Sequence, residues 1–171
     1  MTSAPQQGDT VKAALLAAFA DAPYPGDEYI VVDQDVFDPE SAEIVRAFTG
    51  MKWQDVPVEM VRRFKEALPL FTPEAFGFYV PAYMTACVDA PHEVDVALDS
   101  VLFNLTPPVR ESGWQWDFFR ARIEEFNGPQ VAAIQSFLAL MNQRELADWE
   151  REGMVPPRER IGRAIDFWAA R

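Results

Sequence analysis

The stretch Phe71-Thr72-Pro73-Glu74-Ala75-Phe76-Gly77-Phe78-Tyr79-Val80-Pro81-Ala82-Tyr83-Met84 constrains the fold more than any other part of the chain. Thr72-Pro73-Glu74 is a helix start: a hydroxyl to accept a free N–H, a preset φ, and a carboxylate at the positive end of the helix dipole. Phe76, Tyr79, Val80, Tyr83 and Cys87 then recur at helical spacing, so this helix turns an aromatic face to a core. Pro81 falls inside it. Its ring clashes with the carbonyl of Gly77 and removes one hydrogen bond, which predicts a kink over residues 77–81.

Helical stripes separated by proline and glycine make up the rest. Val11, Ala14, Leu15, Ala18 and Phe19 form the first stripe, with Asp9 or Thr10 as its cap and residues 1–9 as a flexible N-terminus. Pro23 and Pro25 end it. Pro39 opens a helix through Phe48, with Gly50 as its stop. Asp55 caps a helix whose stripe is Val61, Phe64 and Leu68. Residues 91–105 read as one helix ended by Thr106-Pro107-Pro108. Trp116, Phe119, Ile123 and Phe126 precede an Asn127-Gly128-Pro129 turn, and Val131, Ile134, Leu138 and Met141 follow it, which predicts an antiparallel helix pair. Ile161, Ala164, Ile165 and Trp168 face inward on a last helix. Tyr29-Ile30-Val31-Val32 is the one β-type run, and it has no partner strand, so an extended segment lying on helices is expected. The fold class is therefore all-α: a single-domain bundle of about seven helices over residues 10–171, with one kinked aromatic helix and an acidic extended loop.

Composition excludes several functions. The net charge is −12, and 17 acidic against 6 basic residues fall in positions 1–100. A field of that sign repels phosphate backbones, so no nucleic-acid partner is expected. No apolar run approaches the roughly 18 residues of a membrane span, so no membrane partner is expected either. Ala13 to Ala20 is too short, too late and too poorly flanked for a secretory signal. The single cysteine, Cys87, fits a reducing cytoplasm and, on an apolar stripe, a buried structural thiol.

Chemistry-bearing motifs are sparse. One His and one Cys cannot make a usual zinc site, and the eight glycines form no phosphate-cradling loop, so neither a metal nor another cofactor is expected. Asp27, Glu28, Asp33, Asp35, Asp38, Glu40 and Glu43 place seven carboxylates in seventeen residues with no basic residue among them. Asp33-Gln34-Asp35-Val36-Phe37-Asp38 resembles a calcium loop but lacks its glycine turn and terminal glutamate. Three readings of this segment stand: a solvated loop, a hard-cation site, or a docking surface for a basic protein through Asp27, Glu28, Asp33, Asp35, Asp38 and Glu40. Trp114, Trp116, Phe118 and Phe119 crowd both sides of one helix start, so one or two should be exposed and could mark a binding surface.

The elements Trp53-Gln54-Asp55, Phe71-Thr72-Pro73-Glu74-Ala75-Phe76 and Tyr79-Val80-Pro81-Ala82-Tyr83 resemble an uncharacterised bacterial family of small domains, with Pro23-Tyr24-Pro25-Gly26-Asp27 and Phe126-Asn127-Gly128 similar to its flanks. The resemblance covers residues 10–145. It implies a bacterial cytosolic protein and supplies no activity. Two functions are therefore carried forward. One is a non-enzymatic acidic binding protein, of immunity or toxin-neutralising type, engaging a basic protein. The other is a small enzyme with a pocket at the Pro81 kink, using Glu74, Tyr79, Tyr83 or His92.

Overall fold

A computed structural model describes residues 4–32, 38–94, 96–155 and 161–171. It is all-α. Its helices are α1 (Ala4–Ala18), α2 (Pro39–Phe48), α3 (Val58–Arg63), α4 (Pro73–Asp89), α5 (Pro91–Val94), α6 (Ala97–Leu105), α7 (Trp114–Ile123), α8 (Gly128–Arg151) and α9 (Gly162–Ala169). Three-residue 3-10 turns lie at Asp27–Tyr29, Trp53–Asp55 and Leu68–Leu70.

Helix α4 is the axle. Thr72 caps it by accepting from the Ala75 N–H at 3.0 Å, and the helix runs unbroken through Pro81. Phe76, Phe78, Tyr79, Val80, Ala82, Tyr83, Met84, Cys87 and Val88 are all buried, so the helix is covered on every side rather than along one stripe. Around it pack α1, α3, α5, α6, α7 and the Trp53–Asp55 turn. A Cβ on Gly77 would sit 3.4 Å from the Cβ of Glu125, in the turn that follows α7. That distance is an ordinary contact. Gly77→Ala should therefore gain helix propensity, about 0.5–1 kcal/mol, read as a higher urea midpoint at constant m. A lower midpoint would show that Glu125 cannot yield.

Several boundaries differ from the sequence-based expectation. Helix α1 begins at Ala4, and Thr10 is inside it, donating to the Gln6 carbonyl at 2.8 Å instead of capping. Asp55 caps nothing; Pro57 occupies the N-cap position of α3, which stops at Arg63, before Phe64 and Leu68. Pro69 disfavours helix at Leu68, and the chain turns there in a 3-10 loop. The single helix expected over 91–105 is two, α5 and α6. The expected pairing of α7 with α8 also gives way: α7 packs chiefly on α4, and α8 on α1 and α9. The extended segment does lie on helices. Val31 bridges Phe71, Val32 N–H donates to Leu70 at 2.9 Å, and Thr72 N–H donates to Ile30 at 3.1 Å.

A chain of aromatic contacts ties the ends together. Trp53 meets Phe19 edge-on, Phe19 meets Phe126, and Phe126 meets Trp168. It links the 53–55 turn, the end of α1, the α7–α8 corner and α9.

Candidate functional site: a groove between α6 and α7

The acidic segment is partly spent on structure. Asp38 caps α2, accepting from the Glu40 and Ser41 N–H groups at 3.1 and 3.2 Å and from the Ser41 hydroxyl, which holds its carboxyl below the usual range. Asp27 accepts from the Tyr24 hydroxyl. Glu28 and Glu40 are exposed, and Asp33 and Asp35 lie outside the described residues. Among the described residues no group of three or more His, Cys, Asp or Glu converges as metal ligands. No described helix is long and apolar enough to cross a membrane.

The pocket expected at Pro81 is replaced by core. Tyr79 and Tyr83 are fully buried. The Tyr79 hydroxyl donates toward the Phe48 and Met51 carbonyls at 2.8 and 3.0 Å, and that of Tyr83 to Phe64 at 2.7 Å. Burial pushes both phenols far above their ordinary range, so neither titrates near neutrality. Glu74 and His92 are exposed on separate helices. Glu74 does approach Glu125, whose carboxyl is raised by partial burial first and by Glu74 and Glu124 second. The rings that would line a pocket there instead fill it. Cys87 is buried too, its thiol pushed up to about 12 by burial, as a structural cysteine should be.

The concavity lies elsewhere. Between α6, the 106–113 loop and the start of α7 is a groove of about 830 Å³. Pro107 and Pro108 stiffen the loop. Arg163 of α9 donates to the Pro107 carbonyl at 2.6 Å, and Thr106 to the Leu102 carbonyl at 2.6 Å, fixing the start of the loop. Gly113, at φ 83°, then lets the chain enter α7. The rim is apolar and open to solvent: Phe103 and Trp114 are each 76% exposed and Val109 is 85% exposed. Phe119 and Arg122 lie below. The exposure foreseen for the Trp114–Phe119 cluster falls on Trp114, while Phe119 turns inward.

Arg122 is 3% exposed. Its Nη1 donates to Asn104 Oδ1 at 2.7 Å, and its Nη2 to the Leu68 and Phe71 carbonyls at 2.8 and 3.3 Å. Its guanidinium lies 4.0 Å from the ring centre of Phe118 and 4.7 Å from that of Phe76. All these partners are neutral, and burial pulls the guanidinium down to about 10. A buried charge without a counter-ion is costly, several kcal/mol by general experience.

Residues 10–171 match the model of a family of unknown function, DUF6714. The chain belongs to this family. No curated protein and no solved structure matches it. The family match runs to the last residue, past the 145 expected from the motifs, so it takes in α9 and its Arg163 as well. In this DUF6714 chain the residues that carried the resemblance are structural. Trp53, Phe76, Tyr79 and Tyr83 are core, and Thr72 is a cap.

Of this groove the sequence suggested only an exposed aromatic among Trp114, Trp116, Phe118 and Phe119; Thr106-Pro107-Pro108 read as a helix break, and Arg122 did not stand out. A signal existed: Phe119, Arg122, Ile123 and Phe126 fall at i, i+3, i+4 and i+7, which puts a charge on the stripe that faces the core.

Proposed function

We propose that this chain works by binding rather than by turnover, and that the α6–α7 groove is its site, taking a small organic molecule with an apolar body. The observation that carries this is the groove's lining. Phe103, Val109, Trp114, Phe118 and Phe119 supply an aromatic and aliphatic wall, and its size lies within the range of small-molecule sites, about 300–1,000 Å³. A Ser or Thr nucleophile needs an adjacent activating base, and general acid–base catalysis draws on His, Cys, Asp, Glu, Lys or Tyr. None of these bases and acids is among the described lining side chains, so the hydroxyls of Thr106 and Ser112 have no activating partner there; the other polar ones are two amides and three arginines.

A thermal-shift screen with apolar molecules of one to three rings tests the proposal. Bound molecules should perturb Trp114 fluorescence. Trp114→Ala should weaken them about tenfold or more, in the manner of an aromatic anchor, while leaving the melting temperature unmoved, because the side chain is largely exposed. Unchanged affinity in that variant would send the ligand elsewhere.

A second proposal keeps the acidic docking face for a basic protein, of immunity or toxin-neutralising type. What favours it is apolar exposure next to charge: Tyr29 is 59% and Val32 57% exposed, beside the exposed Asp27 and Glu28. Capture from lysate should then yield one basic protein that high salt releases. Capture insensitive to Tyr29→Ala would discard it. We take the chain to be cytoplasmic and one domain over residues 10–171, on its single thiol and continuous helical pattern.

A further inference from the structure

We infer that Arg122 is the anion receptor of this groove and that the ligand is a small organic carboxylate, its apolar body against Trp114 and Phe103 and its carboxylate on the guanidinium. This rests on the groove being the binding site. Three observations carry it.

The first is the missing counter-ion. Among the described residues, the partners of Arg122 are one amide oxygen, two backbone carbonyls and two rings, and no carboxylate. The second is spare donor capacity. A guanidinium has five N–H groups, and three are used by those bonds; the Nε–H is buried and unpartnered. The third is the sign of the surroundings. In a chain of net charge −12, Arg110, Arg122 and Arg163 all line this groove and, among the described residues, no Asp or Glu does.

The geometry favours a carboxylate. A carboxylate is a monoanion that one or two N–H donors satisfy, and Arg122 has two left, the Nε–H and one on Nη1. A phosphate dianion would call on more donors than Arg122 has left, and Arg163 already spends an Nη2 on the Pro107 carbonyl. Asn104, bonded to Arg122 and lining the same groove, holds the fork in place, which makes it a positioning residue.

A purely structural Arg122, tying α6 and the 68–71 turn to α7, is the competing role, and a matched probe series separates the two. Phenyl-, indolyl- and naphthyl-alkanoic acids are titrated against their uncharged amides, with dissociation constants taken from Trp114 fluorescence and NMR at low salt. At least one acid should bind ten or more times tighter than its amide. In Arg122→Met the acid and amide should bind alike, while Arg120→Gln, on the exposed face of α7, should keep the difference. Should Arg122→Met not fold, the Arg122 Nε–H resonance of the unaltered protein serves instead. It should move with the acid and not with the amide. Equal binding of acid and amide overturns the role of Arg122 and leaves the groove as a site. Failure of every acid and every amide to bind overturns both. A free-acid peptide ending in Phe that binds where no panel acid does overturns the small-molecule assignment.

Discussion

Trp53→Ala should lower the unfolding free energy by about 3–5 kcal/mol, the range for a large aromatic side chain lost from a core. Trp53 is 2% exposed, packs edge-on against Phe19, and donates its indole N–H to the Phe19 carbonyl at 3.1 Å. That bond fastens the end of α1 to a turn 34 residues away. Against a typical total of about 5–15 kcal/mol, the loss brings the chain near its unfolding threshold. Trp53→Phe separates the two contributions. It keeps most of the packing and removes only the indole bond, since the Phe19 carbonyl still accepts from the Ala22 N–H at 3.1 Å, a loss of about 0.5–1.5 kcal/mol. Urea unfolding at constant m measures both. A loss under 1 kcal/mol for Trp53→Ala would mean that the neighbouring rings close over the space.

Trp168→Ala should cost a similar amount, about 3–5 kcal/mol, and act differently. The side chain is fully buried, donates to the Leu105 carbonyl at 2.8 Å, and its own carbonyl accepts from Gln135 at 2.6 Å. It holds the eight-residue α9 on α8 and on the end of α6. A helix so short has little stability of its own in water. Amides of α9 should therefore lose hydrogen-exchange protection before the rest of the chain does. Because α9 also carries Arg163, the bond from Arg163 to Pro107 should loosen with it, and the groove should lose affinity for its ligands in the same variant. If α9 exchange stays slow while global stability falls, α9 is integral to the cooperative unit and the groove should survive.

Trp53 also shows why the resemblance to a family was informative about fold and silent about function. Trp53, Phe76, Tyr79 and Tyr83 make a recognisable pattern because an aromatic core tolerates few alternatives of the same shape. Residues chosen for packing say little about what the surface holds.

Local chemistry made much of the architecture legible. Thr72-Pro73 starts α4, Asn127-Gly128-Pro129 starts α8 with a capping box, and Pro39 to Phe48 is a helix as expected. Each of these is settled within one helical turn by a cap or a proline, so nearest neighbours suffice to predict it. The inward face of α9 follows equally from spacing. Three other features are settled by residues distant in the chain. Whether Tyr79 and Tyr83 line a pocket or fill a core depends on carbonyls 19 to 31 positions away. The packing of α7 on α4 rather than α8 brings together segments far apart in the chain, with Gly77 and Glu125 meeting where they join. Arg122 reads as a surface arginine until Leu68, Phe71 and Asn104 close around it and the groove opens above. Helix type and ends follow from short-range hydrogen bonding and sterics, which any window of the chain contains. Cavities and buried charges arise from what several segments jointly leave empty or unpaired, and no single segment contains that.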